Sequence, residues 1–329
     1  MLQLSYSDLK ARRWDCKTYE DRARGIVQEK AAYDLLGEYS DSQALAVTEL
    51  SMIKKLHAFR RIGRSYPGYV PLYLCVDLTG WNNKFRHEVV APIARAYMDR
   101  VYDTNLFAKT QKAFEKTFYY APDEGAVYSW DGQLGGIEGL STGTWEITFI
   151  SQVHAVMASL DMPYYILIKG DDLRIALLVP PHVLENQSIN EVKDQVLAHL
   201  KEGLADFGQA AKTEDSYASK GYFSFSHEAS VGTIELPQTA RKIQKCMGNN
   251  NAILNTLDEK IGAALSNAHS ASKVSVCPIA CYRVGLLWAL YHIRRHSVFQ
   301  KLPINQYKAL LLTPSLVGGF PIVFLHNYY

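Results

Sequence analysis

Three aspartates stand next to short apolar segments that could hold their carboxylates rigidly. Asp77 directly follows the apolar run 72–76, and Asp171 and Asp172 stand between two further apolar runs. Carboxylate oxygens are the ligands that hard cations such as Mg²⁺ prefer in proteins. Two such ions, about 4 Å apart, can activate an attacking hydroxyl and stabilise the leaving oxygen of a phosphoryl transfer. The three aspartates are therefore predicted to converge on one site, to bind Mg²⁺ or Mn²⁺ and to be catalytic.

The elements that must position these aspartates are short strands. Residues 72–76, 164–168 and 173–179 have strand length and composition, and Gly170 favours a tight turn between the last two. The pattern predicts a hairpin whose tip carries Asp171 and Asp172. An Asp-Asp pair is also common in ordinary surface turns. Burying carboxylates costs free energy unless something pairs with them, which favours the catalytic interpretation.

The segments around this hairpin are mostly helical in pattern. Apolar residues follow helical spacing over 85–118, 145–160 and 189–207, whereas residues 128–140 form a glycine-rich loop. The segment after Pro237 is also mostly helical in pattern. This order of strand, helices, hairpin and further helices predicts an α+β fold rather than a regularly alternating α/β chain.

A second candidate site is the run Gly135-Gly136-Ile137-Glu138-Gly139-Leu140, directly before the predicted helix 145–160. Three glycines around one glutamate make a backbone that could lie close to a nucleotide or a template strand. The alternative is a plain loop leading into a helix, since glycine-rich loops alone are weak indicators of function.

The charge of the chain indicates binding only locally. The 329 residues are 48% hydrophobic and 21% charged, with a net charge of +2, which is an ordinary globular balance that supplies no overall attraction for nucleic acid. The basic residues form two clusters, each of which is either a solvated face or a phosphate-binding surface. The first cluster is Lys10, Arg12, Arg13, Lys17, Arg22 and Arg24, and the second is Lys54, Lys55, Arg60, Arg61 and Arg64.

Cysteines and apolar runs exclude several other classes. Five scattered cysteines form no disulfide framework and favour a reducing compartment. Cys277, Cys281, His292 and His296 have a spacing like that of a zinc finger. The spacer between the two pairs is helical in pattern, however, and would hold them roughly 16 Å apart. The most apolar run, 276–293, contains a proline and an arginine and predicts a core helix rather than a membrane span. A soluble, cytosolic protein is the default expectation.

Taken in order, these segments resemble the motifs of the large polymerase protein of non-segmented negative-strand RNA viruses. The likeness extends over nearly the whole chain and is strongest from 77 to 225. The run 77–86, Asp-Leu-Thr-Gly-Trp-Asn-Asn-Lys-Phe-Arg, resembles motif A, and Gly135 to Leu140 with Trp145 resembles motif B. Gly170-Asp171-Asp172 stands at motif C, Lys212-Thr213-Glu214 resembles motif D, and Ser219-Lys220-Gly221-Tyr222 resembles motif E. The run 312–319 is similar to an element that follows the polymerase core.

The resemblance implies a right-hand polymerase core with an antiparallel palm sheet and surrounding helices. Residues 1–70 would be a fingers segment with a divergent motif F within 10–24, residues 71–226 the palm with motifs A to E and fingers insertions, and residues 227–329 a thumb-side segment. The implied activity is RNA-directed RNA synthesis in viral genome replication and transcription. The implied partners are an RNA template, nascent RNA, nucleoside triphosphates, a viral phosphoprotein and nucleoprotein-coated RNA, in the host cytoplasm, the virion or the host nucleus.

The resemblance also implies roles for particular residues. Asp77 and Asp171 would bridge two metal ions and Asp172 would support them, while Lys212 would protonate the leaving pyrophosphate. An amide of Asn82 or Asn83 would recognise the 2′-hydroxyl of the incoming nucleotide. The remaining nucleotide-binding or template-binding candidates are Arg22, Arg24, Gly135, Gly136, Glu138, Gly139, Trp145 and Lys220.

The sequence departs from the family pattern at several points. Gly-Asp-Asp stands where the family usually has Gly-Asp-Asn, and Thr142-Gly143 replaces a Gln-Lys pair. A chain of this length has no room for the capping and methyltransferase regions of family members, so a fragment or a minimal core is expected. Two rivals stay open. One is a reverse transcriptase-like palm polymerase, and the other is an inactive integrated viral remnant that serves as an RNA-binding protein.

Overall fold

The computed structural model describes residues 3–4, 11–12, 19–110, 112, 118–121, 125–129, 135–136, 141–226, 228–232, 234–247 and 256–328. The chain forms two compact units, Met1–Ser226 and His227–Tyr329. Helices and antiparallel strands are mixed along the chain, which confirms the predicted α+β class.

The first unit contains nine strands and seven α-helices within its described residues. Its strands are β1 Gln3–Leu4, β2 Ala11–Arg12, β3 Val70–Leu78, β4 Phe118–Ala121, β5 Ala126–Ser129, β6 Tyr164–Lys169, β7 Asp172–Val179, β8 Ala211–Ser219 and β9 Tyr222–Phe225. Its helices are α1 Tyr19–Tyr39, α2 Glu49–Arg60, α3 His87–Ile93, α4 Leu106–Thr110, α5 Thr142–Met157, α6 Pro181–Asn186 and α7 Ile189–Asp206.

The centre of this unit is a four-stranded antiparallel sheet in the order β6-β7-β3-β8. Strands β6 and β7 form the predicted hairpin, closed by the pair Lys169 and Asp172. Strand β3 lies in the middle of the sheet, where Val76 pairs with Leu173 on one side and Asp77 pairs with Lys212 on the other. The strand that ends in Asp77 and the hairpin that carries the other aspartates are therefore neighbours, although about 90 residues separate them in the chain.

The two faces of the sheet pack in different hydrophobic clusters. Because side chains alternate along a strand, Leu72, Leu74 and Val76 point to one face, where they join the large hydrophobic core. Tyr73 points to the other face and packs in a smaller cluster with Phe59 and Phe223. Asp77 follows Tyr73 and Cys75 in this alternation and therefore lies on the face with the smaller core.

Helix α5 fills the large core and confirms the helix predicted over 145–160. Most of its side chains are buried, because it packs against α1, α7 and strand β6. The close contact with α1 depends on Gly143, where a Cβ atom would lie 2.9 Å from the Cβ of Ala32. A side chain at position 143 would therefore collide with α1, and glycine permits the close approach of the two helices.

The predicted helix over 85–118 is interrupted. Helix α3 passes into a π-helical turn, Ala94–Asp99, and α4 begins only at Leu106. Pro92 inside α3 lacks an N–H donor, which disturbs the regular helical hydrogen bonding. The carboxylate of Asp99 then accepts hydrogen bonds from the N–H groups of Phe107 and Ala108 and so caps α4. Strands β4 and β5 pair as a hairpin that the sequence did not predict.

The second unit is mostly helical, as predicted. A hairpin of β10 (Glu228–Val231) and β11 (Ile234–Leu236) precedes the helices α8 Thr239–Ile243, α9 Leu257–Ser272, α10 Pro278–Arg295 and α11 Ile304–Leu312. Helix α10 runs without a break through the spacer between Cys281 and His292, as predicted from its pattern. None of the helices in the described ranges has both the length and the apolar character needed to cross a membrane.

Candidate active site

The first part of the candidate site is the pair Asp77 and Lys212, which are cross-strand neighbours on β3 and β8. The Nζ atom of Lys212 lies 3.0 Å from Oδ2 of Asp77 and 3.6 Å from Oδ2 of Asp215. The hydrogen bond to Asp77 and the charge of its carboxylate raise the pKa of Lys212 above its usual value. Lys212 is therefore held fully charged beside the motif A carboxylate.

A bulge in β8 produces this geometry. The register of β3 with β8 shifts between Cys75 and Asp77, so that Tyr217 and Lys212 become the successive partners. The Ser216 hydroxyl closes the bulge: it accepts a hydrogen bond from the Asp77 N–H at 3.1 Å and donates one to the Lys212 carbonyl. The backbone of Asp77 is thereby fixed at the edge of the candidate site. Neither β8 nor the contacts of Ser216 were predicted from the sequence.

The second part is the turn between β6 and β7. Only two residues, Gly170 and Asp171, connect the closing pair Lys169 and Asp172. Gly170 has a φ of +61°, the left-handed region that glycine adopts most readily, as at the first central position of a two-residue hairpin turn. Asp171 is exposed at the tip. The predicted hairpin with aspartates at its tip is confirmed.

The third part is an ion pair that the sequence analysis missed. The Nη2 atom of Arg174 lies 3.2 Å from Oδ1 of Asp172. The same guanidinium also donates to the carbonyls of Leu173 and Ser224. The Arg174 side chain is 13% exposed and that of Asp172 is 35% exposed, so the arginine is fixed by its surroundings and in turn fixes the aspartate.

Asp77 and Asp172 lie next to each other across the sheet. The registered pairs of β3 with β7 end at Val76 and Leu173, and continuing the register by one residue places Asp77 opposite Asp172. Directly opposed residues of antiparallel strands have Cα atoms roughly 5 Å apart and point to the same face. Two carboxylates on neighbouring strands, each holding a cationic side chain, suit a hard divalent cation in their donor chemistry.

The expected convergence of all three aspartates is not seen. Within the described ranges, no three His, Cys, Asp or Glu side chains come close enough together to hold a metal ion. The carboxylates of Asp77 and Asp172 are instead each paired with a cation, Lys212 and Arg174 respectively. A Mg²⁺ ion commonly binds through one or two carboxylates plus substrate phosphates, so a pair of aspartates still fits its needs.

The glycines of the motif B segment contact protein. A Cβ atom on Gly135 would lie 2.1 Å from the Asn83 carbonyl oxygen, and one on Gly136 would lie 2.1 Å from the Trp145 ring. Trp145 is fully buried and stacks on Phe85 with ring centroids 5.5 Å apart. These three buried residues can therefore support a binding surface from the protein core, but they do not line it. Asn82 is half-buried and Asn83 is exposed, whereas Glu138 and Gly139 lie outside the described residues.

The basic candidates occupy several different places. Arg22 and Arg24 are exposed on α1, and Lys220 is exposed directly after β8. Residues 10 and 13–18 of the segment that would hold motif F lie outside the described residues. In the second cluster, Lys55 donates to the carbonyls of Asp41 and Gln43 at 2.8 and 2.9 Å. Lys55 therefore braces a loop, and the second cluster is not a uniform cationic face.

A further carboxylate, Glu146 on α5, lies directly behind the hairpin turn. Its side chain is fully buried, and its Oε2 atom accepts a hydrogen bond of 3.0 Å from the N–H of Gly170. Burial raises the pKa of Glu146 to about 7, and the hydrogen bond from Gly170 opposes that shift only in part. Glu146 was not predicted from the sequence, because its position within an apolar helix gives no sign of what it contacts.

Comparison with known sequences identifies the class of protein. Residues 8–315 match the family described as Mononegavirales RNA dependent RNA polymerase. The match spans most of the chain, so the protein belongs to this family, as the resemblance of motifs A to E indicated.

Individual relatives come from rhabdoviruses of plants and mammals. The chain is 20% identical to the RNA-directed RNA polymerase L of lettuce necrotic yellows virus over 79% of its length, and 24% identical to that of bovine ephemeral fever virus over 76%. It is 22% identical to the large structural protein of rabies virus, strain China/MRV, over 69% of its length. These matches span only 12 to 14% of the relatives' own length.

Proposed function

We propose that this chain forms the catalytic core of an RNA-dependent RNA polymerase, which transfers nucleotides to an RNA 3′ end under the direction of a template. The observation that most supports the proposal is the register of β3 with β7, which, continued by one residue, brings Asp77 opposite Asp172 and next to the turn that carries Asp171. Family membership and the names of the relatives support the same activity. Residues 1–70, 71–226 and 227–329 would then be the fingers, palm and thumb-side segments of a right-hand polymerase.

The aspartates would hold the catalytic metal ions. Bound Mg²⁺ or Mn²⁺ would lower the pKa of the attacking 3′-hydroxyl and stabilise the charge on the leaving oxygen. In the two-metal scheme, Asp77 and Asp171 would bind both ions. The ion pair with Arg174 would keep Asp172 beside the metal ions, where Asp172 would support metal binding without being the main ligand.

Lys212 would act as the general acid for the pyrophosphate leaving group. A positioned proton donor contributes about 10²- to 10⁴-fold to a rate. The pair with Asp77 keeps Lys212 protonated and aims its ammonium group at the carboxylate that would contact the metal. An incoming triphosphate would place its β-phosphate near the same cation, so that the proton has a short path.

The nucleotide and the template would contact the residues around this pair. An amide of Asn82 or Asn83 would hydrogen-bond the 2′-hydroxyl, since an amide can do so without adding charge. Glu138, Gly139 and Lys220 would lie on the template side, with Gly135, Gly136 and Trp145 supporting them from the core. Arg22 and Arg24 would bind the triphosphate, because the planar guanidinium fork matches phosphate oxygens.

The proposal includes partners and a location. RNA and nucleoside triphosphates would be the substrates, and a viral phosphoprotein and nucleoprotein-coated RNA would be the protein partners. Synthesis would take place in the host cytoplasm, the virion or the host nucleus. A reverse transcriptase or an inactive RNA-binding remnant would share the palm, but neither is favoured by the family match.

Primer extension tests the proposal and both rivals together. Wild-type chain and the Asp171→Ala variant are given a primed RNA or DNA template with Mg²⁺ or Mn²⁺, and with ribonucleotides or deoxyribonucleotides. Ribonucleotide addition on RNA that disappears in the variant supports the proposal. Deoxyribonucleotide addition by the wild type supports a reverse transcriptase. RNA binding without extension by the wild type under any condition supports the inactive remnant and overturns the proposal.

A further inference from the structure

The turn that carries Asp171 rests on a buried carboxylate. The Gly170 N–H donates to Oε2 of Glu146 at 3.0 Å, and Glu146 has no exposed surface. Gly170 and Asp171 are the only two residues of the turn, so a hydrogen bond at Gly170 restrains the backbone on which the Asp171 carboxylate is mounted. The 24 residues between donor and acceptor show that this contact is tertiary and not part of the hairpin itself.

The helix that carries Glu146 is itself anchored. Near its start, the Gly143 N–H donates to Oε2 of Glu29 on α1 at 3.0 Å. The absence of a side chain at Gly143 lets α1 approach, as described above. The following turns of α5 are buried in the large core. Glu146 is therefore presented to the turn from a rigid element, which is what precise positioning of a catalytic group requires.

Strand β6 is also held by the chain just before the turn. The Ile168 N–H donates to the Ser42 carbonyl at 2.8 Å, and the Ala44 N–H donates to the Ile168 carbonyl at 2.7 Å. These two bonds fix β6 up to two residues before Gly170. They do not extend to Gly170 or Asp171, whereas the Glu146 contact acts on the turn directly.

A buried carboxylate is an expensive way to hold a backbone N–H. Desolvation of a charged group is unfavourable, and a neutral polar side chain could accept the same hydrogen bond at a lower cost. A carboxyl oxygen can accept this hydrogen bond in either protonation state, so the contact restrains the turn whether or not Glu146 is charged. The residues on either side of Glu146 in the chain, Trp145 and Ile147, belong to the large hydrophobic core.

We propose that Glu146 is a positioning residue, which fixes the Gly170–Asp171 turn and thereby sets the place of the Asp171 carboxylate at the tip of the hairpin. The proposal rests on the metal-dependent polymerase function proposed above. Glu146 does not touch the reacting atoms in this scheme. It acts through the backbone of Gly170, and its removal loosens the carboxylate without removing it.

Four variants separate positioning from other effects. Glu146→Leu removes the acceptor, Glu146→Asp keeps the charge but shortens the side chain, and Glu146→Gln keeps the length and an acceptor oxygen. The matched control is Gln152→Leu, which changes another buried polar residue of α5. The amide atoms of Gln152 have no hydrogen-bond partner in the structure, so its loss leaves the turn unaffected.

Two measurements are made on each variant. Hydrogen–deuterium exchange of peptides within 164–179 reports the turn and needs no catalysis. Primer extension gives kcat, the KM for nucleotides and the Mn²⁺ concentration at half-maximal rate.

We expect Glu146→Leu and Glu146→Asp to speed exchange at the turn about tenfold, which corresponds to the loss of one hydrogen bond. We also expect kcat to fall between about tenfold and a hundredfold, as for a catalytic group displaced by about 1 Å. The Mn²⁺ midpoint should rise several-fold and the nucleotide KM should change little.

The same measurements can overturn the proposal. Glu146→Gln should stay within about threefold of wild type, and Gln152→Leu should match wild type at the turn. If Glu146→Leu matches Gln152→Leu in turn exchange and in Mn²⁺ midpoint, the proposal fails. Should Glu146→Leu not fold, Glu146→Asp decides in the same way. A wild-type chain that extends no RNA refutes the polymerase function instead, while turn exchange and direct Mn²⁺ binding by electron paramagnetic resonance still test the role of Glu146.

Discussion

Asp77 and Lys212 face each other across β3 and β8, with the lysine ammonium 3.0 Å from the carboxylate, although 135 residues separate them in the chain. A divalent cation that binds Asp77 must compete with this ammonium group for the same oxygen. Lys212 would therefore have two opposing effects, since it would weaken metal binding while it supplies a proton to the leaving group.

The substitution Lys212→Met separates these two effects. We expect the Mg²⁺ midpoint of primer extension to fall several-fold, because the competing cation is gone. We expect kcat to fall by about 10²-fold or more, because the proton donor is gone. Lys212→Arg should restore the midpoint but not the rate, since arginine stays protonated. Lys201→Met, on the exposed surface of α7, is the control. An unchanged midpoint together with an unchanged rate in Lys212→Met would show that the ion pair is only structural.

The two aspartates of motif C should differ in their sensitivity to substitution. Asp171→Ala should reduce extension to background in a folded protein. Asp172→Asn should keep measurable activity, reduced by about tenfold, because the asparagine oxygen can still accept the hydrogen bond from Arg174. Primer extension in Mg²⁺ and in Mn²⁺ measures both variants, with circular dichroism to confirm folding. Complete loss in a folded Asp172→Asn protein would mean that Asp172 is an obligatory metal ligand.

The buried Glu146 predicts a pH dependence of stability. Its pKa is raised from 4.5 to about 7 in the folded protein. The folded state therefore binds a proton more tightly than the unfolded state, and the stability that this proton confers is lost as the pH rises from about 4.5 to about 7. Urea unfolding should show that Glu146→Gln gains stability relative to wild type by about 2 kcal/mol between pH 5 and pH 8. A difference between the two proteins that is independent of pH would contradict the raised pKa.

The two basic clusters should have separable functions. Charge reversal at Arg22 and Arg24 should raise the KM for nucleotides more than it weakens RNA binding. Reversal at Arg60 and Arg61 should weaken RNA binding and flatten its dependence on salt, since fewer phosphate contacts release fewer counterions. Steady-state kinetics and filter binding at 50 to 200 mM salt measure the two effects. If neither parameter changes in either variant, both clusters are solvated surface.

The strands and the turn of the site could be predicted from sequence because their patterns are local. The apolar run before Asp77 and the Gly170 turn are short-range features, and both appear as predicted. The α5 and α7 helices follow from apolar spacing in the same way. The second unit is helical as predicted for the same reason.

The partners of the site residues could not be predicted, because they come from distant parts of the chain. Lys212 was selected as a candidate, but its pairing with Asp77 depends on β8, whose residues Ala211–Ser219 are too polar for a core strand pattern. Arg174 and Glu146 are single charged residues in apolar segments, and only tertiary contacts show what they hold. The missed hairpin of β4 and β5 lies between the predicted helix 85–118 and the predicted glycine-rich loop 128–140, and it overlaps only the end of each.

The order of the strands has a consequence for how the protein is made. Strand β3 is one of the two inner strands of the sheet, yet both of its neighbours, β7 and β8, are synthesised long after it. About 140 residues separate the end of β3 from the end of β8. At ribosomal rates of roughly 5 to 20 residues per second, β3 waits on the order of 10 to 30 s until strands for both of its edges have been made. An apolar strand with free edges is a site for aggregation, so the nascent chain would depend on chaperones during this interval. The strand order that pairs Asp77 with Lys212 therefore also delays the completion of the sheet.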